Sequence, residues 1–273
     1  MEKKLLIIGR KGFLGSNLIK FFKKNMNLTT SNFENFISNN QIYNKKYDYI
    51  INCSSNKSFL NKKHSLKNDN DFIIANKIAH SETKLIMFST RKIYKPKYDI
   101  KETDLKKPIC NYSKNKLISE NLVKKTLKNR SLILRVGNVI GLPVLNKRKI
   151  HKTFVDIFFD KAKSGIIYKN PRIYKDFLHI SMFNRMVFEL INKNAFGTYN
   201  LSSGKKFFLN EIVNWLNFYN KKKIIKILPK KSFNNDSFTL NNTKLMNKIK
   251  IKNSSNDLKN ECMKISKKFF KNK

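Results

Sequence analysis

Tyr112 and Lys116, two side chains with complementary acid–base chemistry, lie four positions apart in the sequence. The pattern of residues 112–128 predicts a helix, and residues at i and i+4 share one helical face, so the two side chains are expected to interact. A lysine cation beside a phenol favours the phenolate and lowers the pKa of the tyrosine towards neutrality. Such a tyrosine can pass a proton to or from a carbonyl or an alcohol while a hydride moves. The same spacing is also common on solvated helix faces.

Thr90 adds a third candidate for this chemistry, because it follows a predicted central strand over residues 84–89. Parallel sheets present catalytic side chains at the carboxyl ends of their strands, and Thr90 could hydrogen-bond the same substrate oxygen as Tyr112. A Ser-Thr pair after a strand is also an ordinary turn or cap. The three residues indicate catalysis only jointly, and only in the presence of a cofactor site.

Residues 9–15, GRKGFLG, supply the pattern of such a site. They follow the apolar run of residues 5–8 and precede a helical pattern that begins at Leu14. Strand, glycine turn and helix in that order bring backbone N–H groups and a helix N-terminus up to a phosphate. Three of the 8 glycines of the chain fall in these seven residues, with the spacing G-x-x-G-x-x-G. The turn predicts a bound nucleotide, in particular a dinucleotide.

Apolar runs alternate with helical patterns through the first half of the chain, which predicts βαβ units, a parallel sheet and an α/β fold. The segment 31–46 is too polar and too short for a full unit, so this part is expected to be abbreviated. Past Gly141 the pattern of alternating strands and helices ends. A loop is expected at 146–152, and Asn210 is expected to be a helix N-cap. The predicted strands are 4–8, 28–30, 47–52, 84–89 and 131–136, and the predicted helices are 14–24, 71–80, 112–128, 153–163, 181–192, 211–219 and 257–270.

The net charge of +40 invites a nucleic-acid partner, because basic surfaces bind phosphate backbones. The lysines are dispersed, however, mostly singly or in short pairs among Asn, Ile and Phe, all of which have AT-rich codons. Drift in an AT-rich genome explains much of this bias, and nucleic acid is therefore not expected as a partner. A dispersed positive field still attracts anionic substrates.

Cysteine usage and hydropathy point to the cytoplasm. Cys53, Cys110 and Cys262 are odd in number and widely spaced, so neither a metal site nor a disulfide framework is expected, which fits a reducing compartment. No apolar run reaches the ~18 residues of a membrane span. The start of the sequence leads directly into the first strand, which leaves no room for a signal peptide.

Seven segments, in order along the chain, resemble those of the extended short-chain dehydrogenases/reductases, also called the NAD-dependent epimerase/dehydratase family. The resemblance runs nearly end to end and implies a Rossmann-type doubly wound sheet with a smaller α+β C-terminal substrate domain. Residues 1–140 would form the NAD(P)-binding domain, and 141–273 mainly the substrate region, with about 174–198 returning to the first domain. The segments are 9–15 (GRKGFLG), 48–54 (DYIINCS), 88–94 (FSTRKIY), 102–120, 134–141 (LRVGNVIG), 175–180 (KDFLHI) and 199–204 (YNLSSG).

The resemblance implies how a nicotinamide cofactor would be held. The backbone amides of Gly12, Phe13 and Leu14 would face the pyrophosphate, and Lys116 would bond the nicotinamide ribose. The cofactor-binding residues that it implies are Gly9, Lys11, Gly12, Phe13, Leu14, Gly15, Asn52, Ser54, Tyr112 and Lys116.

It also implies roles at the substrate. Tyr112 would be the general acid/base and Thr90 would hold the substrate oxygen. Asn138 would reach the diphosphate side of a nucleotide sugar, and Lys175 would assist there. Dehydratases of the family carry an acidic pair directly after the strand-end Thr, whereas this chain has Arg91 and Lys92, which argues against a 4,6-dehydratase.

The choice of cofactor depends on the end of the second strand, where an acidic residue would bind the ribose 2′-OH and favour NAD. The candidates there, Thr29, Thr30, Ser31 and Asn32, are not acidic, and Lys11 could meet a 2′-phosphate. These residues favour NADP(H) over NAD(H).

Three functions remain open from the sequence. The main hypothesis is an NAD(P)-dependent 4-keto reductase of a nucleotide sugar, in the style of the dTDP-4-dehydrorhamnose-reductase-like members. The second is a nucleotide-sugar 4-epimerase with tightly bound NAD. The third is a non-catalytic NAD(P)- or RNA-binding protein on the same fold. The family resemblance also implies a possible homodimer.

Overall fold

The computed structural model describes residues 2–39, 46–142, 154–161, 165–168, 172–220, 226–228, 236–251 and 254–270. The strands are β1 (Lys4–Ile8), β2 (Asn27–Ser31), β3 (Tyr49–Asn52), β4 (Lys84–Thr90), β5 (Ser131–Val136), β6 (Asn138–Ile140), β7 (Ile166–Tyr168), β8 (Tyr174–Lys175), β9 (Phe177–His179), β10 (Gly197–Leu201), β11 (Phe207–Phe208) and β12 (Lys226–Leu228). The helices are α1 (Phe13–Phe22), α2 (Phe33–Ser38), α3 (Ser58–Asn61), α4 (Asn70–Lys77), α5 (Asn111–Leu127), α6 (Phe154–Lys161), α7 (Ile180–Asn192), α8 (Leu209–Asn217), α9 (Thr243–Ile249) and α10 (Ser255–Phe270).

Six of these strands form one parallel sheet in the order β2-β1-β3-β4-β5-β10. Such strands are buried on both faces and read as continuous apolar runs, as KLLII in β1 and KLIMF in β4 do. Alternate side chains pack against α1 and α7 on one face and against α4 and α5 on the other. The structure confirms the predicted α/β, Rossmann-type fold.

The strand order reverses between β1 and β3, so the connections that leave these two strands diverge and open a crevice at their carboxyl ends. The glycine turn leaves β1 there, and Cys53 follows β3 there. Later in the chain, a second core joins α6, α8 and α10 through Phe158, Ile212 and Cys262, among others. The pairs β6/β9, β8/β11 and β7/β12 accompany it, which is the mixed architecture expected of the C-terminal part.

Two buried ion pairs fix the rotation of α5, the helix that carries Tyr112. Lys116 pairs with Asp71 of α4 at 2.7 Å, and one turn later Glu120 pairs with Arg135 of β5 at 2.6 Å. Tyr112, Lys116 and Glu120 are spaced four residues apart and therefore lie on one face of the helix, which faces both Asp71 and Arg135. These two ion pairs place Tyr112 at the carboxyl edge of the sheet.

The structure confirms the predicted strands 4–8 and 131–136 and the helices near 14–24, 71–80 and 112–128 to within a few residues. The prediction of Asn210 as an N-cap is wrong. Helix α8 begins at Leu209, and the Glu211 carboxylate accepts the Phe208 amide at 2.7 Å, so Asn210 lies inside the first turn. The loop predicted at 146–152 lies outside the described residues, and the domain boundaries stay a prediction.

Candidate active site

The glycine turn is packed tightly against the end of β3. Gly9 has φ +92°, and a Cβ built on it would lie 2.5 Å from the Ser54 amide nitrogen. A Cβ on Gly15 would lie 2.3 Å from the Gly9 carbonyl oxygen. A Cβ on Gly12 would be 3.7 Å from its nearest neighbour, which is ordinary contact. Two glycines are therefore required by the packing of the turn, whereas Gly12 borders open space.

That open space lies in front of the N-terminus of α1. Gly12 is the N-cap residue, and no side chain in the described part of the chain caps the helix. The first amides of a helix have no intrahelical acceptor and carry the positive end of its dipole, which makes the first turn of α1 an anion-binding site. Lys11, Gly12, Phe13 and Leu14 all line the space, as the sequence predicts for residues that face a pyrophosphate.

A cavity of about 490 Å³ extends from this turn across the carboxyl ends of β3, β4 and β5. The carboxyl ends of parallel strands in such a sheet are where ligands bind. Lysines contribute to its wall, and none of its described lining residues is a carboxylate. The lining residues are Lys11, Gly12, Phe13, Leu14, Asn52, Cys53, Ser54, Ser55, Phe88, Ser89, Thr90, Lys92, Tyr112, Lys116, Val136, Gly137, Asn138, Val139 and Phe154.

Thr90 and Tyr112 both line this cavity, and the Thr90 hydroxyl lies near enough to the phenol to lower its pKa. Thr90 Oγ1 accepts the Lys92 amide at 3.2 Å, which leaves its single proton available to an acceptor in the cavity. Burial raises the pKa of Tyr112 above its ordinary value, and the lowering effect of Lys116 does not reverse this. The prediction of a pKa lowered towards neutrality is therefore wrong, because burying a phenolate costs more than the lysine cation returns.

Lys116 reaches the same wall from α5, one turn after Tyr112. Its Nζ donates to Asp71 Oδ2 at 2.7 Å, and Asn52 Nδ2 donates to Asp71 Oδ1 at 2.7 Å. Ser54 in turn donates to Asn52 Oδ1 through both its amide and its hydroxyl. Burial disfavours the ammonium, but the Asp71 carboxylate and Tyr112 leave the pKa of Lys116 above its ordinary value. Lys116 therefore stays charged.

Asn138 and Lys175, the residues proposed for the diphosphate side, occupy different environments. Asn138 lines the cavity, and its side-chain amide donates to the Asp176 carbonyl at 3.2 Å. Lys175 is not among the lining residues; its ammonium is paired with Asp236 and lies 5.9 Å from the centre of the Phe238 ring. The structure thus brings Asn138 to the reacting groups and leaves Lys175 outside the cavity. The roles of both residues in substrate binding stay predictions.

The model of one protein family, described as the RmlD substrate binding domain, matches residues 3–169. This match covers more than half of the chain. The chain belongs to the RmlD family. The resemblance to the extended short-chain dehydrogenases/reductases, of which this family is a part, is thereby confirmed. No curated protein matches the sequence.

Three solved structures share the fold of this chain over nearly its whole length. A UDP-N-acetylglucosamine 4-epimerase from Methanobrevibacter ruminantium is 17% identical with a TM-score of 0.80, over 100% of this chain and 99% of that chain. A dTDP-4-dehydrorhamnose reductase from Clostridium acetobutylicum is 18% identical with a TM-score of 0.77, over 97% and 99%. RMD from Pseudomonas aeruginosa, complexed with NADPH, is 14% identical with a TM-score of 0.80, over 99% and 100%. At these identities the likeness establishes the fold.

The first turn of α1 and a buried hydroxyl fit a nicotinamide dinucleotide. Ser89 Oγ near the end of β4 is buried, lines the cavity and has no hydrogen-bond partner among the described residues. Buried polar groups are normally satisfied, so an unpaired hydroxyl at the wall of a cavity indicates a ligand contact. The sequence missed both Ser89 and Asp71. Asp71 shares a helical face with Ile74, Ala75 and Ile78, and an acid on an apolar face was the signal that could have revealed it.

Within the described residues, no helix is both long and apolar enough to cross a membrane.

Proposed function

We propose that this RmlD-family chain is an NAD(P)-dependent oxidoreductase that reduces the 4-keto group of a nucleotide-activated sugar. The observation that supports it most is the placement of Thr90, Tyr112 and Lys116 at the wall of one cavity that also contains the N-terminus of α1. An anion site and an acid–base pair in one cavity suit a dinucleotide and a carbonyl substrate that react side by side.

A bound reduced nicotinamide would supply the hydride to the carbonyl carbon. Tyr112 then donates its phenolic proton to the carbonyl oxygen, which completes the alcohol. Thr90 holds that oxygen by a second hydrogen bond, and the Lys116 ammonium stabilises the phenolate that Tyr112 becomes. Solvent returns a proton to Tyr112 before the next turnover. Hydride and proton together account for both hydrogens added to the substrate.

The environment of Tyr112 suits the proton donor of a reduction. A reductase requires a protonated phenol at the start, and burial raises the pKa of Tyr112 above its ordinary value. Arg91 and Lys92 follow Thr90 directly and supply no carboxylic acid or carboxylate for loss of water, which argues against a dehydratase.

The charge of the cavity wall supports an anionic substrate. Lys11 and Lys92 line it, and Lys116, the third lysine of the wall, is paired with the buried Asp71. A site lined by one sign of charge concentrates ligands of the opposite sign, and the diphosphate of a nucleotide sugar is such a ligand.

Product analysis with a panel of UDP-, dTDP- and GDP-linked 4-keto sugars, each with NADH and with NADPH, tests the proposal. Reduction that needs added cofactor supports it. Protein that carries NAD through purification and interconverts 4-epimers without net oxidation would contradict it in favour of an epimerase. No turnover together with RNA binding that weakens steeply with salt would show a binding protein instead.

Lys11→Gln tests the preference for NADP(H) that Lys11 and the non-acidic end of β2 favour. We expect kcat/KM with NADPH to fall roughly tenfold, because a charge-assisted contact to the 2′-phosphate is lost, while kcat/KM with NADH stays unchanged. Lys24→Gln, which removes one exposed charge beyond the far end of α1, is the matched control. A wild-type protein that strongly prefers NADH would refute the preference.

A further inference from the structure

The proposed reaction leaves one buried charge of the site without a role, the carboxylate of Asp71 in the first turn of α4. Its side chain is 4% exposed, and both of its oxygens accept hydrogen bonds. Desolvating a carboxylate and an ammonium costs several kcal/mol per ion, and well-packed apolar residues often stabilise a protein as well as a buried pair does. Stability alone therefore does not explain why one of only 18 acidic residues is placed here.

We propose that Asp71 is a positioning residue that acts through Lys116: its carboxylate holds the ammonium at the cavity wall and offsets that charge at the phenol, so that Tyr112 keeps its proton for the substrate. The proposal rests on the proposed reaction, in which Tyr112 is the proton donor.

The groups around Tyr112 come from three elements and one connecting segment. Lys116 lies on its own helix, Thr90 reaches it from the end of β4, Asp71 from α4, and Cys110 from the residue before α5. After burial, the largest influences on the pKa of the phenol are Lys116, which lowers it, and Asp71, which raises it. The two members of the ion pair thus act on the phenol in opposite directions.

Asp71 is the carboxylate in contact with Lys116. The neighbouring Asp69 is engaged elsewhere, because His64 contacts its Oδ2 at 2.9 Å and Ser119 donates to the same atom at 2.5 Å. The groups that face Asp71 from other elements are Lys116 and Tyr112 on α5, Asn52 at the end of β3 and the Cys53 thiol beyond it, and Asp69 adds a like charge from the start of α4. Neutralising Asp71 removes the negative charge that balances Lys116 most directly.

Asp71→Asn removes this charge and keeps the size of the side chain. Without the carboxylate the uncompensated Lys116 cation favours the phenolate, so the pKa of Tyr112 falls. Reduction requires the protonated phenol, and its rate declines as pH rises through that pKa. We expect the decline to begin about one pH unit lower in Asp71→Asn than in the wild type. An ultraviolet titration of each protein against its Tyr112→Phe counterpart measures the same shift in the phenol directly, without turnover.

Glu120→Gln is the matched control, since it breaks a second buried ion pair on α5 whose partner is Arg135. It should lower stability and leave the titration of Tyr112 in place, and Asp71→Glu should restore the wild-type titration. A folded Asp71→Asn protein whose Tyr112 titrates as in the wild type would overturn the proposal. If Asp71→Asn does not fold, the smaller Asp71→Ser is measured. Failure of both neutral variants to fold would assign the carboxylate to folding and equally refute the proposal. A wild type without any reductase activity would refute the proposed function alone, because the titration still reports on Asp71.

Discussion

Tyr112→Phe is expected to lower kcat for reduction of the 4-keto sugar by roughly 10²- to 10⁴-fold, the contribution typical of a positioned general acid. The substitution removes one oxygen atom, the phenolic oxygen that lies near Thr90 at the cavity wall and that delivers the proton in the proposed reaction. The ring stays, so the packing of α5 and the ion pair between Lys116 and Asp71 are preserved. Steady-state kinetics with the substrate found in the panel measures the loss.

Cofactor binding separates this loss from a damaged site. The N-terminus of α1 is untouched, and we expect the dissociation constant of NADPH, measured by fluorescence titration, to change less than threefold. Tyr98→Phe removes a hydroxyl from a side chain that is 61% exposed, and it should behave as the wild type does in both measurements. If Tyr112→Phe retained a substantial part of the wild-type kcat, another group would be the acid and the proposed mechanism would be wrong.

Local patterns were sufficient to predict the parts of the site that lie within one strand, turn or helix. The glycine turn and the pair of Tyr112 and Lys116 each depend on spacing over a few residues, and backbone geometry converts that spacing directly into position. The order of the segments then predicted that these parts would meet at the carboxyl edge of a parallel sheet, and Thr90 and Tyr112 do meet there.

The partners of the charged side chains were not predictable in the same way. Asp71 and Lys116 are 45 positions apart, and Lys175 pairs with Asp236 over 61 positions, so neither pairing is visible as a local pattern. The pKa of Tyr112 was misjudged for the same reason, because burial is a property of the assembled sheet and helices. The error at Asn210 concerns only two residues. The Glu211 carboxylate accepts the amide of Phe208, the N-cap residue, and α8 begins at Leu209 instead of at residue 211.

The glycine turn offers the second test, in which two similar substitutions should fail for different reasons. In Gly15→Ala the new Cβ would lie 2.3 Å from the Gly9 carbonyl oxygen and 3.1 Å from the Gly9 carbonyl carbon. Both are backbone atoms and cannot rotate away. We expect a loss of roughly 3 kcal/mol in the free energy of unfolding, at the upper end of overpacking effects, and a melting temperature lower by about 10 °C.

Gly12→Ala meets no such obstacle, because its backbone conformation, φ −77° and ψ 165°, suits any residue and its Cβ would have ordinary contacts. We expect its stability to fall by no more than about 1 kcal/mol, because alanine is a poorer N-cap residue than glycine but meets no clash here. The methyl group would instead project into the space where a pyrophosphate must approach the amides of α1. The affinity for NADPH should therefore fall by at least about tenfold. Circular dichroism melting and cofactor titration of both variants measure the contrast. A Gly12→Ala protein that bound NADPH as tightly as the wild type would show that the pyrophosphate does not sit against this turn.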